Sequence, residues 1–283
     1  NFQHISSSGM CKLCTNHCQL TINTFTNGQK FISGNKCERG AGKKLQSDLP
    51  NMVAYKNQLF NSIPLKGVGR ARIGLPRALN IYEMLPFWAE LFCSLGCDIV
   101  LSKVSSRNIY MKGQNTIPSD TVCYPAKLVH GHIIDLLEKD LDAIFYPCMS
   151  YTFDEGISDN CYNCPIVAYY PELIQANIPN IEKTHFLYPH LGIENHKLLA
   201  ERMYEEFKNI IPKLSKKEME KAVENAFKSY YEYREAVRQE GSRVLKFAEE
   251  NNYPVIILAS RPYHIDPEIN HGLDRLLNSL QFV

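Results

Sequence analysis

The sequence predicts an α/β protein whose parallel sheet is flanked by helices, and three observations carry that expectation. Short apolar runs alternate with longer amphipathic stretches between residues 72 and 190, the pattern of βαβ units. A long Lys/Glu-rich helical stretch follows, and after it the β-α alternation starts again near Val255. Ahead of all this stands a short cysteine-rich segment whose composition differs from the rest.

That first segment contains Cys11, Cys14, Cys18 and Cys37, with Gly28, Gly34 and Gly40 at turns. Gln19–Asn23 alternates and Lys30–Ser33 is β-prone, so Asn27-Gly28 between them predicts a hairpin that returns Cys37 toward the first three thiols. Residues 1–45 are therefore expected to form a metal-binding hairpin, and 41–70 a connector. Within an α/β domain at 70–190, Ile73–Pro76, Asp98–Leu101, Asp142–Tyr146 and Pro165–Tyr169 are expected strands, with His185–Tyr188 a further one. Ile81–Leu95 and Thr121–Glu138 are expected helices. Residues 191–252 are expected to be helical: His196–Ile210 first, then Ser215–Asn251, opened by a Ser215/Glu218 capping box. In 253–283 the strand Val255–Ala259 and a helix at Ile269–Leu280 read as the first β-α unit of a second α/β domain. The chain ends at Gln281-Phe282-Val283, where another strand is expected to begin, as in a piece cut from a longer polypeptide.

Charge balances to +1, from 31 Lys+Arg and 30 Asp+Glu, which gives no compositional reason to expect a nucleic-acid partner. No apolar run approaches the roughly 20 residues of a membrane helix, and Asn1–Met10 lacks the build of a signal peptide. Ten cysteines in a chain with long charged helices point to a cytoplasmic protein with metal-binding or redox thiols rather than disulfides.

Cys11-x2-Cys14-x3-Cys18 with Cys37 offers four thiolates to one soft metal, and both Zn²⁺ and an iron–sulfur cluster suit such a set. A second group comprises Cys123, where a loop enters a helix; Cys148, directly after a strand; and the pair Cys161-x2-Cys164. Helix N-termini stabilise thiolates, and ligand sites of parallel sheets form at the carboxyl ends of strands. Cys93 and Cys97 read as core. Arg77, Lys127, Arg261 and His264 follow strand or loop ends and are candidates for a substrate or anion site. His130 and His132 are not neighbours on a helix and make a poor metal pair. Phosphate-loop, dinucleotide and nucleophile-elbow patterns are missing from the sequence.

Gly74-Leu75-Pro76-Arg77, the stretch Ile117 to His132, Tyr146-Pro147-Cys148, Arg261 to Asn270 and the leading Cys-x2-Cys-x3-Cys resemble the domain that accompanies the ATPase modules of large CoA-substrate-specific enzyme activases. More distantly they are similar to 2-hydroxyacyl-CoA dehydratase subunits and double-cubane cluster proteins. The resemblance implies Rossmann- or flavodoxin-like domains and a [4Fe–4S] or double-cubane cluster. It also implies, as partner, an ATP-hydrolysing activator in the same or another chain of an anaerobic bacterium; a homodimer is left open. By position Cys123 and Cys148 are the ligands implied, the third being Cys161, Cys164 or a residue past Val283. The expected function is an iron–sulfur electron-transfer or reductase module; the alternative is a zinc-stabilised docking module without catalysis of its own.

Overall fold

The computed structural model describes residues 3–13, 16–36, 40–42, 47–154, 156 and 159–283. Two compact units are present. One comprises residues 1–55, 240–259 and 270–283, and the other residues 56–239 and 260–269.

In the first unit, β1 (His4–Met10), β2 (Gln19–Phe25) and β3 (Lys30–Ser33) form an antiparallel sheet in that order. The predicted hairpin joins β2 to β3: Gly28 takes φ +80° and its amide donates to the Phe25 carbonyl at 2.9 Å. Gly34 sits at φ +82°, and a Cβ there would lie 2.3 Å from the Gln19 carbonyl oxygen, so only glycine lets β3 leave the sheet at that point. The apolar cluster is small. Cys11, Cys18 and Leu20 are buried, with Ile22 and Ile32 packed against them. The Cys11 amide donates to the Cys18 carbonyl at 2.8 Å, closing the loop between them. Cys14 and Cys37 lie outside the described residues, so the convergence of four thiols stays an expectation.

The second unit is the parallel domain. Helix α1 (Met52–Ser62) begins in the stretch expected as a connector. Thereafter β4 (Arg72–Leu75), α2 (Ile81–Ser94), β5 (Asp98–Leu101), α3 (Arg107–Gly113), α4 (Tyr124–Leu137), β6 (Ala143–Phe145), α5 (Pro165–Asn177), β7 (His185–Leu187) and α6 (His196–Phe207) follow. The four strands are all parallel, in the order β5-β4-β6-β7. Helix α7 spans Lys216–Glu250. Its capping box is present, with the Ser215 amide donating to Glu218 at 2.8 Å and the Glu218 amide to Ser215 Oγ at 3.2 Å. Trp88, Phe92, Phe145 and Phe207 fill the core. Trp88 meets Phe145 edge-on at 4.9 Å and Phe92 meets Phe207 at 5.0 Å, arrangements favoured by the ring quadrupole.

Two expected strands are corrected. Pro165–Tyr169 is the first part of α5: Cys164 supplies the extended cap, and Pro165 is preorganised for a first helical turn, where a missing N–H costs nothing. Val255–Ala259 forms no strand, although the Val283 amide donates to Pro254 at 3.0 Å and its carbonyl accepts from Ile256 at 2.9 Å, a parallel pattern. The helix expected at Ile269–Leu280 is two short ones, α8 (Pro267–Asn270) and α9 (Leu273–Ser279), parted by His271 and Gly272 at φ +56° and +77°.

Candidate functional site

The order β5-β4-β6-β7 reverses direction between β4 and β6, and the crevice outside the carboxyl ends of such a pair is where parallel sheets bind ligands. β4 ends into Pro76-Arg77-Ala78-Leu79-Asn80; β6 ends into Tyr146-Pro147-Cys148.

Cys148 is fully buried. Its amide donates to Pro189 at 3.0 Å and its carbonyl accepts from Leu191 at 3.0 Å, a bridge that prolongs β6 alongside β7. Burial, helped by the Glu172 carboxylate, pushes its thiol up to about 12. Cys123 and Cys164 share another local structure. Each is the extended residue capping a helix, at φ −62°, ψ 150° for α4 and φ −64°, ψ 155° for α5, with proline close behind. Their carbonyls take the first intrahelical bonds, from Ala126 and Lys127, and from Val167 and Ala168. Neither thiol is spent on capping the helix, so both keep a favourable place at a positive helix end.

Tyr146 joins the three. It is wholly buried and its hydroxyl has no hydrogen-bond partner. Its phenol is pushed up by burial first, then by Cys148, Tyr170, Cys164 and Cys123. Tyr263 is raised by burial, then by Cys164 and Cys123; Tyr170 by burial, then by Cys123, to about 12. All three thiols thus bear on Tyr146, two of them also on Tyr263, and Cys123 on Tyr170. Cys161 bears instead on the Tyr151 phenol, which it raises, and its carbonyl accepts from the Thr152 amide at 3.0 Å. Among the described residues no three His, Cys, Asp or Glu side chains are disposed to hold a single metal ion.

The two histidines of α4 are buried and belong to different networks. Thr116 Oγ1 donates to the Gly113 carbonyl, so it must accept from His130 Nδ1 at 2.8 Å; His130 Nε2 then accepts the Tyr170 hydroxyl proton at 2.9 Å. Ser105 donates to Asp266, so it accepts from His132 Nε2, whose Nδ1 takes the Ser102 proton at 2.8 Å. Tyr82 completes this set at 2.6 Å from Asp266. Burial holds His130 down to about 4 and His132 down to about 3, and lifts Asp266 above the usual carboxylate range.

Of the basic candidates, Arg77 is tied down: its amide donates to Ser102 Oγ at 2.8 Å, its Nη1 to Asn61 at 3.1 Å, and it lies over Phe60. Lys127 donates to the Asp120 carbonyl at 2.8 Å. His264 hydrogen-bonds the Arg261 carbonyl through Nδ1 at 3.1 Å and stacks on Tyr263. Arg261 itself is exposed and lines a small open cleft of about 30 Å³ with Leu79, Asn80, Glu83, Asn163 and Cys164. Glu83 is raised by burial, which the pull of Arg234, Tyr230 and Arg261 only partly offsets. The sequence reading missed Tyr146, Tyr170, Asn80 and Glu83; Tyr146 and Asn80 lie in stretches it had marked for their cysteine and arginine.

The family model described as the CoA enzyme activase uncharacterised domain (DUF2229) matches residues 72–283. The chain belongs to this CoA enzyme activase family. Cys123, Cys148, Cys161, Cys164 and Arg261 all lie within the matched stretch of the activase domain, whereas the first four cysteines precede it. No curated protein and no solved structure matches the chain. No helix among the described residues is long and apolar enough to cross a membrane.

Proposed function

We propose that the activase domain is an iron–sulfur electron-transfer module, its cluster held by Cys123, Cys148 and Cys164. The observation that carries this reading is the Tyr146 hydroxyl, a buried donor without a partner among three thiols. A buried unpaired polar group is costly, and a cluster's sulfur atoms are acceptors such a hydroxyl can reach. Tyr170 cannot take that role, because its one proton is committed to His130. The ligands of a cluster bind different irons and stand further apart than the ligands of one ion, so the lack of a single-ion arrangement does not count against the fit.

When bound, the cluster would accept one electron from a reduced partner and release it to an oxidised acceptor. The chain's own part is to fix the ligands. Cys123 and Cys164 stand as the extended caps of α4 and α5, with neither thiol used to cap its helix. Cys148, whose thiol holds its proton in the dry strand end, must release it on ligation. Cys164, which bears on Tyr146 where Cys161 does not, is the third ligand in this proposal. The electron donor proposed is an ATP-hydrolysing activator. Cys11, Cys14, Cys18 and Cys37 are proposed as a separate structural site for zinc or a second cluster.

Iron, zinc and acid-labile sulfide per chain, measured on protein purified without oxygen, test this reading. About four irons with matching sulfide are expected at the proposed site, lost in Cys123→Ala, Cys148→Ala and Cys164→Ala and retained in Cys161→Ala. Absence of iron, with about one zinc lost only on changing the first four cysteines, would leave the docking-module alternative.

A further inference from the structure

The cleft beside Cys164 has a composition that the cluster does not explain. Asn80, at the end of the β4 loop, is only 7% exposed; its amide nitrogen reaches Met149 Sδ at 3.2 Å, a weak acceptor, and its Oδ1 has no partner. Glu83 stands one helical turn further along and lines the same cleft. Asn163 is anchored, donating to the Met149 carbonyl at 2.9 Å. Leu79, held at φ +45° although fully buried, forms part of the wall with Val167, Pro262 and Tyr263. Arg261 is the cation at the mouth.

A buried acceptor left unpaired asks for a donor, and an exposed guanidinium beside it asks for an oxyanion. Size narrows the ligand. About 30 Å³ accommodates one or two water-sized groups, so only a small substituent enters and the rest stays in the open mouth. The crevice lies where Leu79 and Asn80 leave β4, at the point where the strand order reverses, the place such sheets reserve for ligands.

We propose that this cleft binds a small carboxylate carrying a hydrogen-bond donor on the adjacent carbon, its carboxylate on Arg261 and its donor on Asn80 Oδ1 with Glu83 as second acceptor. The proposal goes beyond the electron-transfer reading and stands without it, because Asn80, Glu83 and Arg261 are there whether or not iron is bound.

The test is saturation-transfer NMR titration of the intact chain with three probes: glycolate, glycine and acetate. Glycolate or glycine is expected to bind about tenfold tighter than acetate, which lacks the donor, as one hydrogen bond to an otherwise unpaired acceptor implies. Which of the two binds tighter tells a hydroxyl from an ammonium. Asn80→Leu should abolish the preference over acetate, and Arg261→Gln should weaken every probe that binds. Acetate binding as well as the others, or no probe binding, overturns the proposal in the wild-type chain alone, whatever the variants do. Run on Cys123→Ala, the titration should give the same preference, since Cys123 does not line the cleft. A retained preference in Cys123→Ala leaves this proposal standing whatever becomes of the cluster, whereas absence of iron from the wild-type chain sinks the cluster reading alone.

Discussion

The two sets of cysteines stand on very different foundations. In the antiparallel sheet the thiols are the core: Cys11 and Cys18 with Leu20 make up its buried residues, and β1 is exposed nearly throughout. In the parallel domain the strands and helices already enclose Trp88, Phe92, Phe145 and Phe207, and Cys123, Cys148 and Cys164 stand at strand and helix ends. A sheet that cannot bury enough apolar surface depends on whatever cross-links it. A domain that folds through its aromatic core can keep its thiols for chemistry.

The largest expected effect tests that contrast. Phe145→Ala removes a ring packed against Trp88, Phe92 and Phe207 and should cost the parallel domain about 3–5 kcal/mol, read from urea midpoints. Leu20→Ala, in a cluster of three buried residues, should cost about 2 kcal/mol at most and leave the unfolding of the parallel domain where it was. Hydrogen exchange separates the two units. If Leu20→Ala lowered protection in β4 and β6 as much as in β2, the contrast between the two sets of cysteines would fail.

Much of this was legible in the sequence where local chemistry and tertiary context agree. The Asn27-Gly28 turn, the Ser215/Glu218 capping box and the strands β4, β5, β6 and β7 follow from turn geometry, side-chain capping and apolar runs. The segment His4–Met10 was not legible, because His-Ile-Ser-Ser-Ser-Gly-Met has no apolar alternation; it is a strand because β2 pairs with it over its whole length. Ile166-Val167-Ala168-Tyr169 was misread because β-prone side chains were outweighed by the Cys164-Pro165 helix start. For the site, spacing and chain position picked out Cys123 and Cys148. Neither distinguishes Cys164 from Cys161; the proposal of Cys164 rests on which thiol bears on Tyr146. That the Asn80 and Tyr146 polar atoms lack partners is a property of packing, invisible to any local pattern.

Acid should act on the parallel domain through its two buried histidines. Both have folded-state values below the ordinary 6.5, at about 4 for His130 and about 3 for His132. Below pH 6.5 the unfolded chain therefore binds protons that the folded chain refuses, so stability is lost as pH falls from 6.5 toward those values. The slope is about half of 1.4 kcal/mol per pH unit for each histidine at pH 6.5 and approaches about 1.4 kcal/mol per unit below pH 5.5. Asp266 and Glu83, both raised by burial, take up protons in the folded state and act in the opposite direction, so the informative quantity is a difference between variants. His132→Gln and His130→Gln should each flatten the loss between pH 6.5 and 5.5 by about 1 kcal/mol. An unchanged slope in either variant would mean that this histidine is already charged in the fold.

Tyr146→Phe is the smallest change and the sharpest, because the two states of the chain should answer it differently. In chain stripped of metal the hydroxyl is a buried donor with nothing to bond. Deleting it should raise stability by about 1 kcal/mol, the desolvation cost that an unpaired buried group carries. In chain loaded with iron and sulfide the same hydroxyl would donate to the cluster, and hydrogen bonds to cluster sulfurs help set the potential. Its loss should then lower the midpoint potential while iron content stays at the wild-type value. A variant less stable than wild type without metal would show that Tyr146 is satisfied by some other partner. In that event its place among Cys123, Cys148 and Cys164 would say nothing of a cluster, and the contrast between a thiol-built sheet and thiols kept for chemistry would rest on iron content alone.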